Sequence, residues 1–140
     1  MGFTQSVRTC YAQKYATFSG RATRSEFWFF RLFIFLVLAG FAALFVVLSK
    51  TGQMELDASG IITIVAGLAL LLFILATVIP AIAVSVRRVH DTNASGAFVL
   101  TWYIPYVGGL IGTVWACLPG TAGENDYGPD PKADVSAVFQ

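Results

Sequence analysis

The residues of this chain best equipped for chemistry fall in three places. Arg21, Arg24 and Glu26 precede the first long apolar run. Arg87, Arg88, His90 and Asp91 follow the second. Asn125, Tyr127 and Gly128 sit in a tail dense in glycine and proline. Arginine forks match carboxylate and phosphate oxygens two at a time. A histidine beside an aspartate can move a proton near neutral pH. The set stops short of an enzyme, however. Ser85 and Ser95 carry no flanking signature of an activated nucleophile, and one histidine with scattered carboxylates is not a metal-ligand set. No catalytic, cofactor-binding or metal-binding residue is assigned. Two readings of the basic residues remain open: arginines and salt bridges that fix orientation, or a site that captures an anion such as a phospholipid headgroup.

The elements that must position these residues are unusually apolar. Phe27–Leu48, Ile61–Val86 and Ala97–Leu118 carry no charge except Arg31. Each run is about 22 to 26 residues, or ~33 to 39 Å as a helix, against a hydrocarbon core of ~30 Å. Of the 140 residues, 56% are hydrophobic and 12% charged, and mean hydropathy is +0.71. A soluble bundle needs a polar helix face, and Ile61–Val86 offers only Thr63, Thr77 and Ser85. These features predict an all-α, polytopic membrane protein forming one membrane domain with three spans. A net charge of +1 points away from nucleic acid. Cys10 and Cys117 form no disulfide framework, and Cys117 reads as a small core residue. The first run is too long for a cleavable signal and is expected to persist as a span.

Basic residues alternate along the chain. Arg8, Lys14, Arg21 and Arg24 precede the first span, Lys50 follows it, Arg87 and Arg88 follow the second, and Lys132 stands alone in the tail. The positive-inside rule then places residues 1–26 and the loop Arg87–Ser95 in the cytoplasm, with Ser49–Gly60 and the tail, 119–140, outside. Thr23 and Glu26 fit a capping box. Phe27–Phe30 form an aromatic belt, and Arg31 can snorkel to the headgroups. Ser59 is a candidate cap for the second span, and Asn93 or Ser95 for the third. Met1–Thr17 is weakly amphipathic through Val7, Tyr11 and Tyr15 and reads as surface-lying or loose. Pro80 should kink the second span, with Thr77 near enough to satisfy the freed carbonyl of Ala76. In the third, Gly108 and Gly112 read as close helix packing. The alternative is a re-entrant segment broken at Pro105–Gly112, which returns the tail to the cytoplasmic side. Gly120 reads as the helix stop. The tail around Asn125 and Tyr127 reads as a compact turn, with disorder expected beyond Lys132.

The order and spacing of several motifs resemble a known family. They are Phe18 through Trp28 with Gly20, Arg21, Arg24 and Glu26; Pro80 ahead of Arg87-Arg88-Val89-His90-Asp91-Thr92; Ser95-Gly96; Ile104-Pro105; and Pro119-Gly120, Gly123, Asn125 and Tyr127 to Pro131. Over about Phe18–Pro131 the chain is similar to the domain of unknown function 805 family of small bacterial inner-membrane proteins. The resemblance implies a multi-span protein of the bacterial cytoplasmic membrane and supplies no catalytic residues. Val89, Ala97-Phe98 and Asp126 depart from the family's usual leucine, paired tryptophans and basic residue.

The functional expectation is a non-enzymatic membrane component whose Arg/His/Asp cluster holds the fold together and contacts anionic headgroups. Ala39/Ala43 and Gly108/Gly112 offer faces for a homo-oligomer. The alternative is a subunit of a small oligomeric transporter or channel. A lipid-acting enzyme ranks below both.

Overall fold

The computed structural model describes residues 1–50 and 58–133, and every regular element among them is helical. A short α1, Phe3–Arg8, runs into a π turn at Thr9–Gln13. Two long helices follow, α2 at Arg24–Lys50 and α3 at Ala58–His90. A 3-10 segment, Gly96–Tyr103, and α4, Gly108–Cys117, complete the order. α2 and α3 are each long and apolar enough to cross a membrane. Thr23 caps α2 as the sequence suggests, its hydroxyl accepting from the Glu26 amide at 3.2 Å. Ser59 lies inside α3 rather than capping it, because that helix already begins at Ala58. The rest of the expected first loop falls outside the described residues, as does the expected disorder beyond Lys132 except at Ala133, whose amide donates to the Asp130 carbonyl at 3.1 Å.

The chain divides into two compact units. One is Arg31–Val78. Within it Phe33 meets Phe73 edge-on at 6.2 Å, and the Thr77 hydroxyl donates to the Phe73 carbonyl at 2.6 Å. Its outward side chains are apolar, with Phe35, Leu36, Val47, Val65 and Leu72 all more than half exposed. A surface of that kind suits lipid, which needs no polar face.

The other unit is Met1–Phe30 with the chain from Ile79 onward. The run Ala97–Leu118 does not form the continuous third helix that its hydropathy predicts. Its eight-residue 3-10 limb spans ~16 Å and its ten-residue α4 limb ~15 Å, each about half a hydrocarbon core. The break has a local cause. Pro105 lacks an amide to donate, Tyr106 is left-handed at φ 67°, and the Val107 amide closes a tight turn on the Pro105 carbonyl at 2.9 Å. The limbs then fold against each other, placing Phe98 on Trp115 at 5.4 Å. A side chain at Gly112 would stand 2.9 Å from the Trp102 indole, and one at Gly108 would run into the Trp102 carbonyl. These glycines therefore receive Trp102 of their own hairpin, not a second helix. Trp102 also meets Phe27 edge-on at 5.9 Å.

The amino-terminal segment is docked rather than loose. Phe3 packs on Phe29 at 6.2 Å and Tyr11 on Phe30 at 5.4 Å. The buried side of this segment is Ser6, Thr9 and Cys10, not the Val7/Tyr11/Tyr15 stripe. Phe27 and Phe30 are buried as well, so Trp28 is the more exposed part of the expected aromatic belt.

Candidate functional site

Arg87, Arg88 and His90 occupy the last turn of α3 rather than a loop, and Asp91 follows directly. Cations are favoured at a helix carboxyl end, and here they turn inward. Arg87 and Arg88 are fully buried, and Arg21 is 5% exposed. Asp91 holds two of them: its Oδ1 accepts from Arg21 Nε at 2.9 Å and its Oδ2 from Arg88 Nη1 at 2.5 Å. Arg87 Nη1 donates to Glu26 Oε1 at 2.6 Å. The capping-box role expected of Glu26 is thus replaced by that of a counter-ion.

Three buried arginines against two carboxylates leave positive charge over, and backbone carbonyls absorb it. Arg88 donates to the carbonyls of Ala116, at 3.1 Å, and Leu118. These lie at the carboxyl end of α4, the negative end of its dipole. Arg21 donates to the carbonyls of Thr121 and Gly123, each at 2.5 Å. The tail is tied down by further bonds. The Thr121 amide donates to the Asp91 carbonyl at 2.8 Å. Asn125 Nδ2 donates to the His90 carbonyl at 3.0 Å and to Thr121 Oγ1 at 2.8 Å. Asn125 and Gly128 then pair backbone to backbone across a turn, with Gly128 at φ 126°. Tyr127 stacks on the His90 ring at 3.9 Å, and His90 Nδ1 faces the Gly20 carbonyl at 3.3 Å. The exposed Asp130 carboxyl accepts from the amides of Lys132 and Gly123, which hold its pKa below the usual carboxylate range.

The structure thus brings together Arg21, Glu26, Arg87, Arg88, His90, Asp91, Asn125, Tyr127 and Gly128. Arg24 stands apart and is exposed. Because the tail bonds directly to Arg21, His90 and Asp91, the expectation that it lies across the membrane from the arginines does not hold. The three knotted arginines are also too buried to grip an external headgroup themselves.

Sequence reasoning missed several participants. The carbonyls of Ala116, Leu118, Thr121 and Gly123 carry no side-chain signal. Gly96 and Gly120 are close-approach positions. A Cβ at Gly96 would stand 2.9 Å from His90 Nε2, and one at Gly120 would collide with the Asp91 carboxylate. Asn93 does not cap the 3-10 segment. It sits left-handed at φ 59° just past α3, and Ser95 takes the capping role. Cys117, expected as a core residue, is exposed, whereas Cys10 is buried with its Sγ 3.9 Å from Glu26 Oε1.

Burial, followed by the Glu26 charge, pushes the Cys10 thiol up to about 11. Because thiolate is the nucleophile, Cys10 is inert near neutral pH. Iodoacetamide at pH 8 in mild detergent should therefore alkylate Cys117 and leave Cys10 unmodified until the protein is unfolded in SDS. Equal labelling of both in the native protein, read by peptide mass spectrometry, would contradict the docking of the amino-terminal segment.

Comparison with known proteins agrees along most of this length. The model of the family described as "Protein of unknown function (DUF805)" matches residues 15–129. The inner membrane protein YhaI of Escherichia coli K12 is 37% identical over 124 residues, covering 86% of this chain and 90% of that protein. The inner membrane protein YhaH of the same strain is 38% identical over 125 residues, covering 87% and 93%. No solved structure matches the chain.

Proposed function

The chain belongs to the DUF805 family of bacterial inner-membrane proteins, and on that premise we propose a non-enzymatic membrane component. Its buried arginine knot locks the fold, and the exposed basic residues around it contact anionic lipid headgroups. One observation carries the reading: the buried guanidinium groups of Arg21 and Arg88 are bonded to Asp91 and to backbone carbonyls, of the tail for Arg21 and of the end of α4 for Arg88, and that of Arg87 to Glu26. That is the behaviour of a structural clasp. Arg8, Arg24 and Lys132 remain exposed for an anionic surface, where a basic residue contributes ~1 kcal/mol.

The proposed topology has two spans, α2 and α3, and a re-entrant hairpin of the 3-10 segment and α4. The knot, the amino-terminal segment and the tail share the cytoplasmic face. The density of arginine at that face supports this orientation, as do the bonds between tail and knot. A fluorescent reporter that matures only in the cytoplasm should glow when fused after Gln140. A dark fusion paired with an active periplasmic phosphatase fusion would restore the three-span arrangement. Native mass spectrometry from mild detergent should find anionic phospholipid retained over zwitterionic, and a protein without that preference would sink the headgroup reading. Ala39 and Ala43, both exposed on α2, are the remaining small-residue face for a second copy, now that Gly108 and Gly112 are filled by Trp102.

A further inference from the structure

Beside the knot lies a cleft of about 680 Å³ whose lining includes Lys14, Arg21, Thr23, Arg24, Ser25 and Lys132. It falls within the ~300–1,000 Å³ range of small-ligand sites. We infer that this cleft is a seat for a phosphate-bearing anion, with Lys14, Arg24 and Lys132 as its charged grips. The inference rests on the headgroup reading above and gives it an address.

The argument begins with what the knot leaves over. Arg21 lines the cleft but is held by Asp91 and the tail carbonyls. Glu26 also lines it, with its carboxylate turned to Arg87. Lys14, Arg24 and Lys132 are different. Among the described residues, none of their side chains makes a salt bridge or hydrogen bond. They come from three separate parts of the chain: the end of the π turn, the first residue of α2, and the tail. The knot is what gathers them. Three cations around one concavity, only Lys132 of them offset by a neighbouring carboxylate, Asp130, repel one another, and a bound anion relieves that repulsion.

The rest of the lining suits phosphate over a lone carboxylate. An arginine fork and two ammonium groups can engage several oxygens at once. Thr23 and Ser25 add hydroxyls. The first turn of a 27-residue helix, with its positive dipole end, forms part of the wall. Trp28, one turn further along α2 and 42% exposed, suits a position at headgroup depth. The same chemistry would take a phospholipid headgroup or a free phosphate compound, and competition separates the two.

The test uses the full chain in mild detergent with short-chain phosphatidylglycerol as probe, followed by calorimetry. Lys14→Gln/Arg24→Gln should weaken binding about 30-fold, the worth of two basic residues at an anionic headgroup. Lys132→Gln should weaken it less, in the same direction. The control Lys50→Gln removes a charge at the opposite end of α2 and should change binding less than threefold. Inorganic phosphate that displaces the lipid at similar concentration identifies a soluble phosphate as occupant, and failure to displace it identifies the headgroup. The cleft is overturned if the Lys14/Arg24 pair binds like wild type or loses no more than the control. If wild type still prefers anionic lipid in that case, the broader headgroup reading survives. If wild type binds no anionic probe, both fall together.

Discussion

Asp91→Asn should cost this protein more stability than any other single charge removal. The carboxylate faces Arg21 on one oxygen and Arg88 on the other, and both guanidinium groups are buried. Asparagine keeps the shape and removes the charge, leaving two like charges a few ångströms apart with no counter-ion. Breaking one buried pair costs ~3–5 kcal/mol, a large share of the ~5–15 kcal/mol that holds a typical domain. The melting temperature in detergent should fall by about 10 °C or more, read as loss of the monodisperse peak on heating. Glu26→Gln should be milder, since Glu26 pairs with one arginine, Arg87, where Asp91 pairs with two. An Asp91→Asn protein that melts within 2 °C of wild type would show that the arginines only orient the chain, as exposed pairs worth ~0–1 kcal/mol would.

That contrast marks how far the sequence could be read. The long apolar runs announced α2 and α3, because hydropathy over twenty residues is a property of composition. The same measure failed on Ala97–Leu118. A single 22-residue helix and a hairpin broken at Pro105 have identical composition, and the strained turn at Tyr106 leaves no mark in a sliding window. Charge counting failed on the tail for a related reason. It registers Lys132 but is blind to the carbonyls of Ala116, Leu118, Thr121 and Gly123, which bind the arginines. The polar residues could be named in advance, yet their division of labour could not. Arg21 and Arg24 lie three residues apart and look equivalent in sequence. Arg21 precedes the helix and turns into the knot, whereas Arg24 opens the helix and faces the cleft.

Gly120 supplies the sharper test of the knot, because it isolates packing from charge. It looks like an ordinary helix stop, and its backbone is not in the left-handed region where only glycine is comfortable. Alanine would therefore be harmless at Gly120 if the residue only ended α4. The structure says otherwise: an added Cβ would overlap Asp91 Oδ2 and crowd Cγ, with Oδ1 at 2.8 Å. Neither side can yield easily, since that carboxylate is pinned by two arginines and Thr121 is bonded to the Asp91 backbone. Overpacking alone costs ~1–3 kcal/mol, and displacing the carboxylate weakens both ion pairs as well. Gly120→Ala should thus destabilise by about 3 kcal/mol or more, approaching Asp91→Asn without changing a charge. Two other glycines calibrate the result. Gly123→Ala meets open space but has φ 76°, so it should lose only the ~1 kcal/mol of left-handed strain. Gly109→Ala, in α4 with open space around it, should be neutral or stabilising by up to ~1 kcal/mol. The order of thermal stabilities, Gly109→Ala above Gly123→Ala above Gly120→Ala, is what a tail clamped onto Asp91 requires. A Gly120→Ala protein as stable as the Gly109 variant would mean that the tail does not rest on the knot.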